Sequence, residues 1–307
     1  MKKETAKKYT DKELLDVLKV DQKTLDRFRE IQEQTIREAG KSAQSKNKKI
    51  KALGISGSAR DIGDMAQEES NSENLLKKCL DYCKELGAET EIIPLRKYNI
   101  QRCKACYSTV NTQCHFYCSC YPKGTAQGDD MTNILYDKVL DADAIIFATP
   151  VNNFKISTLM AAFIDRCISL DGSLSPANLK VPKDRELNIK HMKFIEMTAD
   201  NNIPGSGFLR RFSGKIAGVI ATGHEEGAAM AISNLFMALN HFGMLFPPFS
   251  NMYAMSSVCL SLYQDKLAVL NDCHYEETYL LAQNVMTAAN LTRKMKSADW
   301  KNQYNAN

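Results

Sequence analysis

Apolar residues follow two different periods along the chain, and the two periods alternate. Residues 50–56 and 142–149 are short, mostly apolar runs, which is typical of strands that are buried on both faces. Residues 75–86 instead carry leucines and cysteines at the three- and four-residue spacing of one helix face. Because parallel neighbours need a crossover connection, strands that alternate with helices predict a doubly wound parallel sheet of the α/β class.

The same pattern predicts five strands and the helices between them. The strands cover residues 50–56, 91–95, 142–149, 215–222 and 244–248. The helices cover residues 70–87, 130–140, 156–170, a segment that ends near residue 240, and 276–296. Ser70 and Glu73 have the spacing of a capping box at the start of the first of these helices. Residues 192–197 are a candidate for an additional strand.

Residues 10–39 predict two further helices ahead of the sheet. Thr10 and Asp21 are the expected N-caps, and Gly40 is expected to end the second helix. The polar segment at residues 41–49 has nothing to bury, which indicates a linker. The two helices are too small to form their own core, so we expect them to pack on another subunit or on the sheet.

We therefore divide the chain into an N-terminal helical extension with its linker, residues 1–48, and an α/β domain, residues 49–307. Two long segments interrupt the α/β domain. The first is a cysteine-rich loop at residues 101–128. The second is an insertion at residues 171–213, which exceeds the usual length of a connection between a helix and a strand. This insertion has three interpretations: a lid, an oligomer contact, or a surface excursion without a function.

The composition is that of a soluble globular protein, with 44% hydrophobic and 25% charged residues. The 40 Lys and Arg and the 36 Asp and Glu nearly balance, and the basic excess lies near the N-terminus, so the main body has no extended basic face for nucleic acid. No apolar run is long enough to span a membrane, and no signal peptide follows Met1, which predicts a cytoplasmic protein. The ten cysteines are then expected to be reduced thiols.

Three loops follow the carboxyl ends of predicted strands, at residues 56–72, 149–154 and 222–227. Ligands of a doubly wound sheet bind beyond these strand ends. The first loop precedes a helix N-terminus, whose free amides and dipole favour an anion such as phosphate. Its candidate phosphate ligands are Ser56, Ser58, Arg60, Asn71 and Ser72. An ordinary polar turn is the alternative interpretation, and neither a Walker motif nor a G-x-G-x-x-G spacing is present to indicate a nucleoside triphosphate or a dinucleotide.

The second loop suits the edge of a planar ligand, and the third loop lets a ligand approach the backbone closely. The second loop carries two amides and an aromatic ring, which suit the edge of a planar heterocycle; its residues are Pro150, Val151, Asn152, Asn153 and Phe154. The third loop carries glycines that let a ligand approach the backbone and a histidine that can exchange a proton; its residues are Gly223, His224 and Gly227. A helix cap is the alternative role for His224.

Five motifs occur in a fixed order along the α/β domain. They read Gly-Ile-Ser-Gly-Ser-Ala-Arg at 54–60, Ser-Asn-Ser-Glu-Asn-Leu-Leu at 70–76, Asp-Asp-Met at 129–131, Ala-Thr-Pro-Val-Asn-Asn-Phe at 148–154 and Phe-Ile-Asp-Arg at 163–166. In this order they resemble the NAD(P)H-dependent FMN reductase family, over about residues 49–250. The chain is most similar to the branch that includes iron-sulfur flavoproteins, in which a cysteine cluster lies between the second strand and the Asp-Asp-Met helix.

This resemblance implies a flavodoxin-like fold that binds FMN. The FMN phosphate would lie on the five candidate residues of the first loop, although that loop is longer than in the family and carries an acidic insert at residues 61–69. The isoalloxazine ring would be bordered by residues 150–154 and approached by residues 223–227.

The resemblance also implies an electron path. NAD(P)H would reduce the flavin, and the electrons would pass to a quinone, a flavin or a redox partner, with no acid or base required from the protein. A homodimer or a homotetramer is expected. The alternative function is an iron-sulfur flavoprotein that carries electrons and is reduced by a partner protein. The third possible function is that of an interaction protein that is structured by zinc and lacks the flavin.

The cysteine-rich loop contains five closely spaced thiols: Cys103, Cys106, Cys114, Cys118 and Cys120. They suit zinc or a four-cysteine iron-sulfur cluster such as 4Fe-4S, with ligands from the first pair and two of the later three. A redox-active dithiol and unligated thiols beside the flavin are the alternatives. Thr109 stands where the iron-sulfur branch places its third cysteine, and His115 could substitute as a ligand.

Overall fold

The computed structural model describes residues 9–41, 49–65, 67–106, 113–124, 128–200, 202–224, 227–256, 262–295 and 300. Its strands are β1 (Lys51–Ser56), β2 (Glu89–Pro94), β3 (Ala144–Asn152), β4 (Lys155–Ile156), β5 (Ile216–Gly223) and β6 (Asn251–Met255). Five of them form a parallel sheet in the order β2-β1-β3-β5-β6, and the short β4 pairs antiparallel with the end of β3.

This strand order is the flavodoxin-like order of a doubly wound sheet. It places β1 beside β3 at the point where the crossovers change direction, and flavodoxin-like sheets bind their ligands at the carboxyl ends of these two strands. The predicted fold, a flavodoxin-like sheet with five parallel strands, is therefore confirmed.

Helices cover both faces of the sheet. The helices of the described chain are α1 (Asp11–Leu18), α2 (Gln22–Ala39), α3 (Asn71–Glu85), α4 (Tyr136–Asp141), α5 (Thr158–Cys167), α6 (Arg185–Thr198), α7 (Ala228–His241), α8 (Leu262–Val269) and α9 (Asp272–Thr292). Helices α3 and α9 bury Leu76 and Val285 against one face, and α5 and α7 bury Phe163 and Leu235 against the other. In the described part of the chain, no helix combines the length and the apolar character needed to cross a bilayer.

The fifth parallel strand lies later in the chain than predicted. Residues 244–248 contribute one isolated bridge, between Leu245 and Ile216, and the strand itself is β6. Pro247 and Pro248 have no N–H to donate to a sheet ladder, so pairing is interrupted here and resumes only beyond them.

Residues 192–197, a candidate strand in the sequence, lie inside α6. Asp184 caps this helix by accepting a 3.0 Å hydrogen bond from the Leu187 N–H, and Phe194 and Ile195 are buried against α1 and α2. A short apolar run alone does not distinguish a strand from a buried piece of helix, which explains the wrong prediction.

Helix α3 begins where predicted but lacks the predicted capping box. The Ser70 hydroxyl lies 2.9 Å from Ser72 Oγ and accepts no hydrogen bond from the first turn. Glu73 turns inward, where its carboxylate accepts a 2.7 Å hydrogen bond from Ser56 Oγ and pairs with Arg96. The carboxylate that would complete the capping box therefore contacts the side chains of Ser56 and Arg96 instead of the Ser70 backbone.

The two N-terminal helices pack on α6, within the insertion of the same chain. Their caps are as predicted, since Thr10 forms a capping box with Glu13 and Asp21 accepts a 2.8 Å hydrogen bond from the Thr24 N–H. Leu25 of α2 lies in a core of its own with residues of α6. The sequence predicts a neighbouring subunit or the sheet as the packing partner, whereas the structure supplies that partner from the insertion.

Backbone contact is very close where α2 meets the end of the insertion. Gly205 has a positive φ of 81°, and its carbonyl accepts a 2.6 Å hydrogen bond from Thr35 Oγ1. A Cβ at Gly205 would lie only 2.4 Å from the Thr35 carbonyl oxygen. Gln32 Nε2 donates to the neighbouring Ser206 carbonyl at 2.6 Å. Residue 205 therefore has to be glycine for α2 to dock.

Substituting Gly205→Ala should lower the free energy of unfolding by about 2–4 kcal/mol, because the new Cβ meets a backbone atom and the residue keeps a left-handed conformation. The matched control is Gly63→Ala, where an added Cβ meets nothing within 4 Å, and we expect a change within about 1 kcal/mol there. Urea denaturation of both variants measures the difference. Equal stabilities would show that α2 does not dock as described.

Candidate functional site

The three loops predicted to border a ligand meet at the carboxyl edge of the sheet, around a cavity of about 370 Å³. The described residues that line this cavity are Ser58, Ala59, Arg60, Ser70, Asn71, Pro150, Val151, Asn152, Thr222, Gly223, His224 and Asp265. The strand register explains why the loops meet, because Ser56 pairs with Ala148 and Pro150 pairs with Thr222. We call this space the edge cavity.

A glycine lets the first loop turn at once behind β1. The Gly57 N–H donates to the Ala148 carbonyl at 2.8 Å, and the Gly57 carbonyl accepts from Ser157 Oγ at 2.6 Å. A Cβ on Gly57 would lie 2.8 Å from Ser157 Oγ, so a larger residue does not fit. The Arg60 N–H then donates to Ser58 Oγ at 3.2 Å, and this turn brings both side chains to the edge cavity.

Three of the five residues predicted to bind phosphate line the edge cavity, and two lie in the interior. Ser58, Arg60 and Asn71 belong to the lining. Ser56 is fully buried and donates to Glu73, and Ser72 is fully buried beside Ser70. The two inner hydroxyls therefore support the loop from behind.

A charged network fixes the back of the first loop. Burial raises the pKa of the Glu73 carboxyl, but hydrogen bonds from Arg96 and Ser56 outweigh burial and hold this pKa below its ordinary value. Arg96 Nε also donates to Asp61 at 2.8 Å. Arg96 thus ties both α3 and the start of the acidic insert to the end of β2.

A two-residue hairpin between β3 and β4 presents the second loop. Asn152 pairs with Lys155, and Asn153 and Phe154 between them have positive φ angles of 49° and 61°. Two consecutive left-handed residues match a type I′ turn, and an aromatic residue rarely adopts this conformation. Residues 150–152 line the edge cavity, while Asn153 and the 54% exposed Phe154 form the hairpin tip. The hairpin therefore projects an aromatic side chain at the rim of the cavity.

The glycines of the third loop are required by packing against this hairpin. A Cβ on Gly227 would lie 2.5 Å from Phe154 Cα, and a Cβ on Gly223 would lie 3.0 Å from Val151 Cβ. The sequence attributes these glycines to the close approach of a ligand. The structure gives them a second reason, which is the close approach of the neighbouring loop.

Asp265 lines the edge cavity, and sequence reasoning missed it. Its carboxylate is 5% exposed, its Oδ2 accepts a 3.1 Å hydrogen bond from Asn71 Nδ2, and its Oδ1 accepts from Ser256 and lies 3.1 Å from His224 Nε2. His224 therefore pairs with Asp265, while the N-cap of α7 is Gly227. No sequence signal marks Asp265, because it lies on α8, a helix that the hydrophobic pattern did not predict.

A buried ion pair holds the cysteine-rich loop to α5. Arg166 donates to Asp129 through two parallel hydrogen bonds of 2.7 and 2.8 Å, and it also donates to the Gln101 carbonyl at 2.8 Å and to Thr132 Oγ1 at 3.0 Å. Burial raises the pKa of Asp129, but the hydrogen bonds from Arg166 and Thr132 keep it below its ordinary value. Because Gln101 and Asp129 flank the loop, one guanidinium fixes both of its ends.

Four thiols of the cysteine-rich loop line a second cavity, of about 330 Å³, which we call the cysteine cavity. They are Cys106, Cys114, Cys118 and Cys120. Cys103 lies outside this lining and accepts a hydrogen bond from the Ala105 N–H at 3.4 Å. The predicted ligand set, which used both Cys103 and Cys106, is therefore not the set that the structure gathers. Thr109 lies outside the described residues.

The four thiols contact one another. Cys106 interacts with Cys114 and Cys120, and Cys118 interacts with Cys120. The hydrogen bond with Cys114 raises the pKa of Cys106 to about 11, and neighbouring thiols also raise the pKa values of Cys118 and Cys120. These three thiols are thus protonated at neutral pH.

The cysteine cavity has metal-binding donors but no formed coordination site. Within the described ranges, no three His, Cys, Asp or Glu side chains are arranged to hold a metal ion. His115 is also engaged elsewhere, since its Nδ1 lies 2.7 Å from Ser119 Oγ and its Nε2 lies 2.5 Å from Asn188 Nδ2 of α6. Burial lowers the pKa of His115 to about 4, so the ring is neutral and links the cysteine-rich loop to the insertion.

A family model described as NADPH-dependent FMN reductase matches residues 50–256 of this chain. An iron-sulfur flavoprotein of Archaeoglobus fulgidus is 31% identical over 117 residues, which cover 38% of this chain and 48% of that protein. An iron-sulfur flavoprotein of Methanosarcina thermophila is 29% identical over 121 residues, which cover 39% and 54%. The chain thus spans about half the length of the curated relatives it matches.

Solved structures also match most of the chain, and RosB is one of them. RosB with the bound intermediate 8-demethyl-8-formylriboflavin-5′-phosphate aligns at a TM-score of 0.55 and 17% identity, over 80% of this chain and 81% of RosB. At this identity the likeness supports the fold alone.

Substituting Asp129→Asn should cost about 3–5 kcal/mol of unfolding free energy at neutral pH, because Arg166 stays buried without its counter-charge. The folded-state pKa of Asp129 lies below its ordinary value of 3.8, so the pair stabilises the fold above this value and loses its contribution as the pH falls through the folded-state pKa. Urea denaturation across the acid range should therefore show that the free energy of unfolding falls less steeply with decreasing pH in the variant than in the wild type. The matched control is Asp137→Asn, whose exposed carboxylate pairs with Lys123, and we expect a change within about 1 kcal/mol there. If the free energy of unfolding falls equally with decreasing pH in the wild type and in Asp129→Asn, the ion pair does not stabilise the fold as described.

Proposed function

The chain belongs to the NADPH-dependent FMN reductase family, and we propose that it is an FMN-dependent oxidoreductase that passes electrons from NAD(P)H to a second acceptor. The observation that carries this proposal is the convergence of three loops on one cavity at the carboxyl ends of β1 and β3. A quinone, a free flavin or a redox partner protein would be the acceptor.

The edge cavity has an end that suits a phosphate group. Ser58 offers a hydroxyl and Arg60 offers a positive charge. Asn71 is the first residue of the fifteen-residue helix α3, so unpaired backbone amides and the positive end of the helix dipole lie at the same place. Ser56 and Ser72 would support this end from the interior. This donor set fits a ligand with one phosphate group.

The remaining lining suits a flat ring. Pro150, Val151 and Asn152 offer apolar surface and backbone groups, and Gly223 and His224 belong to the same lining. Ring-binding sites combine such apolar cover with a few placed polar groups. Asn153 and Phe154 would extend the border at the hairpin tip, which is held in place by Gly227. The isoalloxazine ring of FMN fits this description.

When bound, FMN supplies the hydride and single-electron chemistry, so the protein has to provide position and polarity. Ser58 and Arg60 would hold the phosphate, and the second and third loops would border the ring. His224 can hold a proton at Nε2, where it faces the Asp265 carboxylate. The function itself requires no acid or base from the protein.

We further propose that the protein works as a homodimer or a homotetramer in the cytoplasm. Exposed apolar side chains on α7 and on the turn before β6, Met230, Met237 and Phe249, support an interface between copies. The cysteines in the described part of the chain are not joined by disulfides, which supports a reducing compartment.

The full chain should bind added FMN, as measured by quenching of flavin fluorescence, and NADPH or NADH added without oxygen should bleach the yellow absorbance of the bound flavin. Reoxidation by a quinone or by free flavin then identifies the acceptor class. A chain that binds no FMN, or a bound flavin that neither nucleotide bleaches, would remove the reductase function.

The cysteine cavity favours a second candidate, an iron-sulfur flavoprotein that carries electrons and is reduced by a partner protein. Four thiols in one cavity match the number and type of ligands that such clusters use. The four thiols are in mutual contact, and the pKa values of Cys106, Cys118 and Cys120 are raised, so a bound cluster would have to displace their protons and move the sulfur atoms apart. No electron path is assigned through this cavity.

Iron and acid-labile sulfide in protein purified without oxygen distinguish the two functions. The carrier function requires both in stoichiometric amounts, with broad visible absorbance in addition to that of the flavin. Cys106→Ser, at an exposed thiol of the cysteine cavity, should then lower the iron content at least severalfold, while Cys273→Ser, at an exposed thiol on α9, leaves it unchanged. Protein that retains FMN but contains no iron is the result expected of the reductase alone.

A further inference from the structure

A buried carboxylate lies within the phosphate-binding end of the edge cavity. Asp265 is 5% exposed and lines the cavity together with Ser58, Arg60 and Asn71. Among the described residues of that lining, Asp265 is the only one with a carboxylate. The helix N-terminus and Arg60 favour an anion at this place, and the Asp265 carboxylate is an anion that the protein itself supplies there.

The Asp265 carboxylate uses donors from three separate loops. Its Oδ2 accepts from Asn71 Nδ2 at 3.1 Å, at the start of α3. Its Oδ1 accepts from Ser256 Oγ, beyond the end of β6, and lies 3.1 Å from His224 Nε2, beyond the end of β5. Asn71 and His224 belong to the lining of the edge cavity, so an anionic ligand there would compete with Asp265 for their side-chain donors. The carboxylate thus already occupies part of the donor set that a phosphate group could use.

The negative charge of Asp265 disfavours a second anion, such as a phosphate group, in the edge cavity. A phosphate monoester carries between one and two negative charges at neutral pH, and a carboxylate a few ångströms away repels it. Arg60 and His224 are the other charged or titratable side chains in the described lining, so little positive charge is present to offset a second anion. A neutral ligand of the same shape meets no such repulsion.

We propose that Asp265 is a specificity-determining residue of the edge cavity: it holds the anion-binding donors and weakens the binding of the phosphate group of FMN relative to the neutral riboflavin moiety. This inference rests on the proposed function, since it concerns the ligand of the same cavity. Its consequence is an FMN that exchanges with solvent instead of remaining a permanently held group.

The test compares the dissociation constants of FMN and riboflavin, measured by quenching of flavin fluorescence with the full chain at neutral pH. Asp265→Asn keeps the shape of the side chain and removes its charge, so it should bind FMN about tenfold more tightly or better. Its affinity for riboflavin should stay within about twofold, because riboflavin has no phosphate. Arg60→Gln should move FMN affinity in the opposite direction and also spare riboflavin. Asp81→Asn, which removes a charge from the exposed face of α3, is the matched control and should change neither constant.

Each outcome decides between the two proposals. Wild-type protein that binds FMN, with Asp265→Asn binding it no more tightly, overturns the role of Asp265 and leaves the proposed function intact. Weaker binding of both flavins to Asp265→Asn also overturns that role, since Asp265 would then be an ordinary ligand contact. A chain that binds neither flavin in any variant overturns both proposals. Asp265→Ser repeats the charge removal should Asp265→Asn fail to fold, as judged by urea denaturation.

Discussion

The parallel pairing of β3 with β1 on one side and β5 on the other determines where everything else in the site can lie. Ser56 at the end of β1 pairs with Ala148, and Thr222 near the end of β5 pairs with Pro150, so both neighbours end beside the last residues of β3. These strand ends bring three connecting loops into one small volume. Gly57 and Gly227 are the consequence, because a side chain on Gly57 would collide with the start of α5 and a side chain on Gly227 would collide with the hairpin at Phe154. The edge cavity is the space that remains between loops held this closely.

Sequence periodicity predicts the sheet well because burial on both faces leaves an unmistakable apolar run at β1 and β3. It fails where the decisive contact is between distant residues. The capping box at Ser70 and Glu73 is locally reasonable, yet Glu73 is drawn inward by Ser56 and Arg96, and no local rule foresees that. The pattern predicts the fifth strand too early in the chain because residues 244–248 are apolar, although their two prolines cannot donate to a sheet ladder.

The same limit applies to the candidate site. The loops are found because they follow strand ends, which is a topological property that the order of elements reveals. Asp265 is not found, because its role depends on α8 folding back over the start of α3, and a single aspartate on a short polar helix has no distinguishing pattern. Arg166 and Asp129 are intermediate: both lie in recognisable motifs, but only the structure shows that the motifs meet as one buried ion pair.

The segments outside the sheet are linked to the cysteine cavity by a continuous set of contacts. Helix α2 docks on the end of the insertion through Thr35 and Gly205, α6 of the insertion carries Asn188, and Asn188 contacts His115 in the cysteine-rich loop. Arg166 then holds both ends of that loop to the core. By contrast, the described lining of the edge cavity contains no residue of the extension or of the insertion. A change in how the extension docks would therefore reach the thiols of the cysteine cavity before it reached the edge cavity, because the described contacts of the extension lead to the insertion and the cysteine-rich loop.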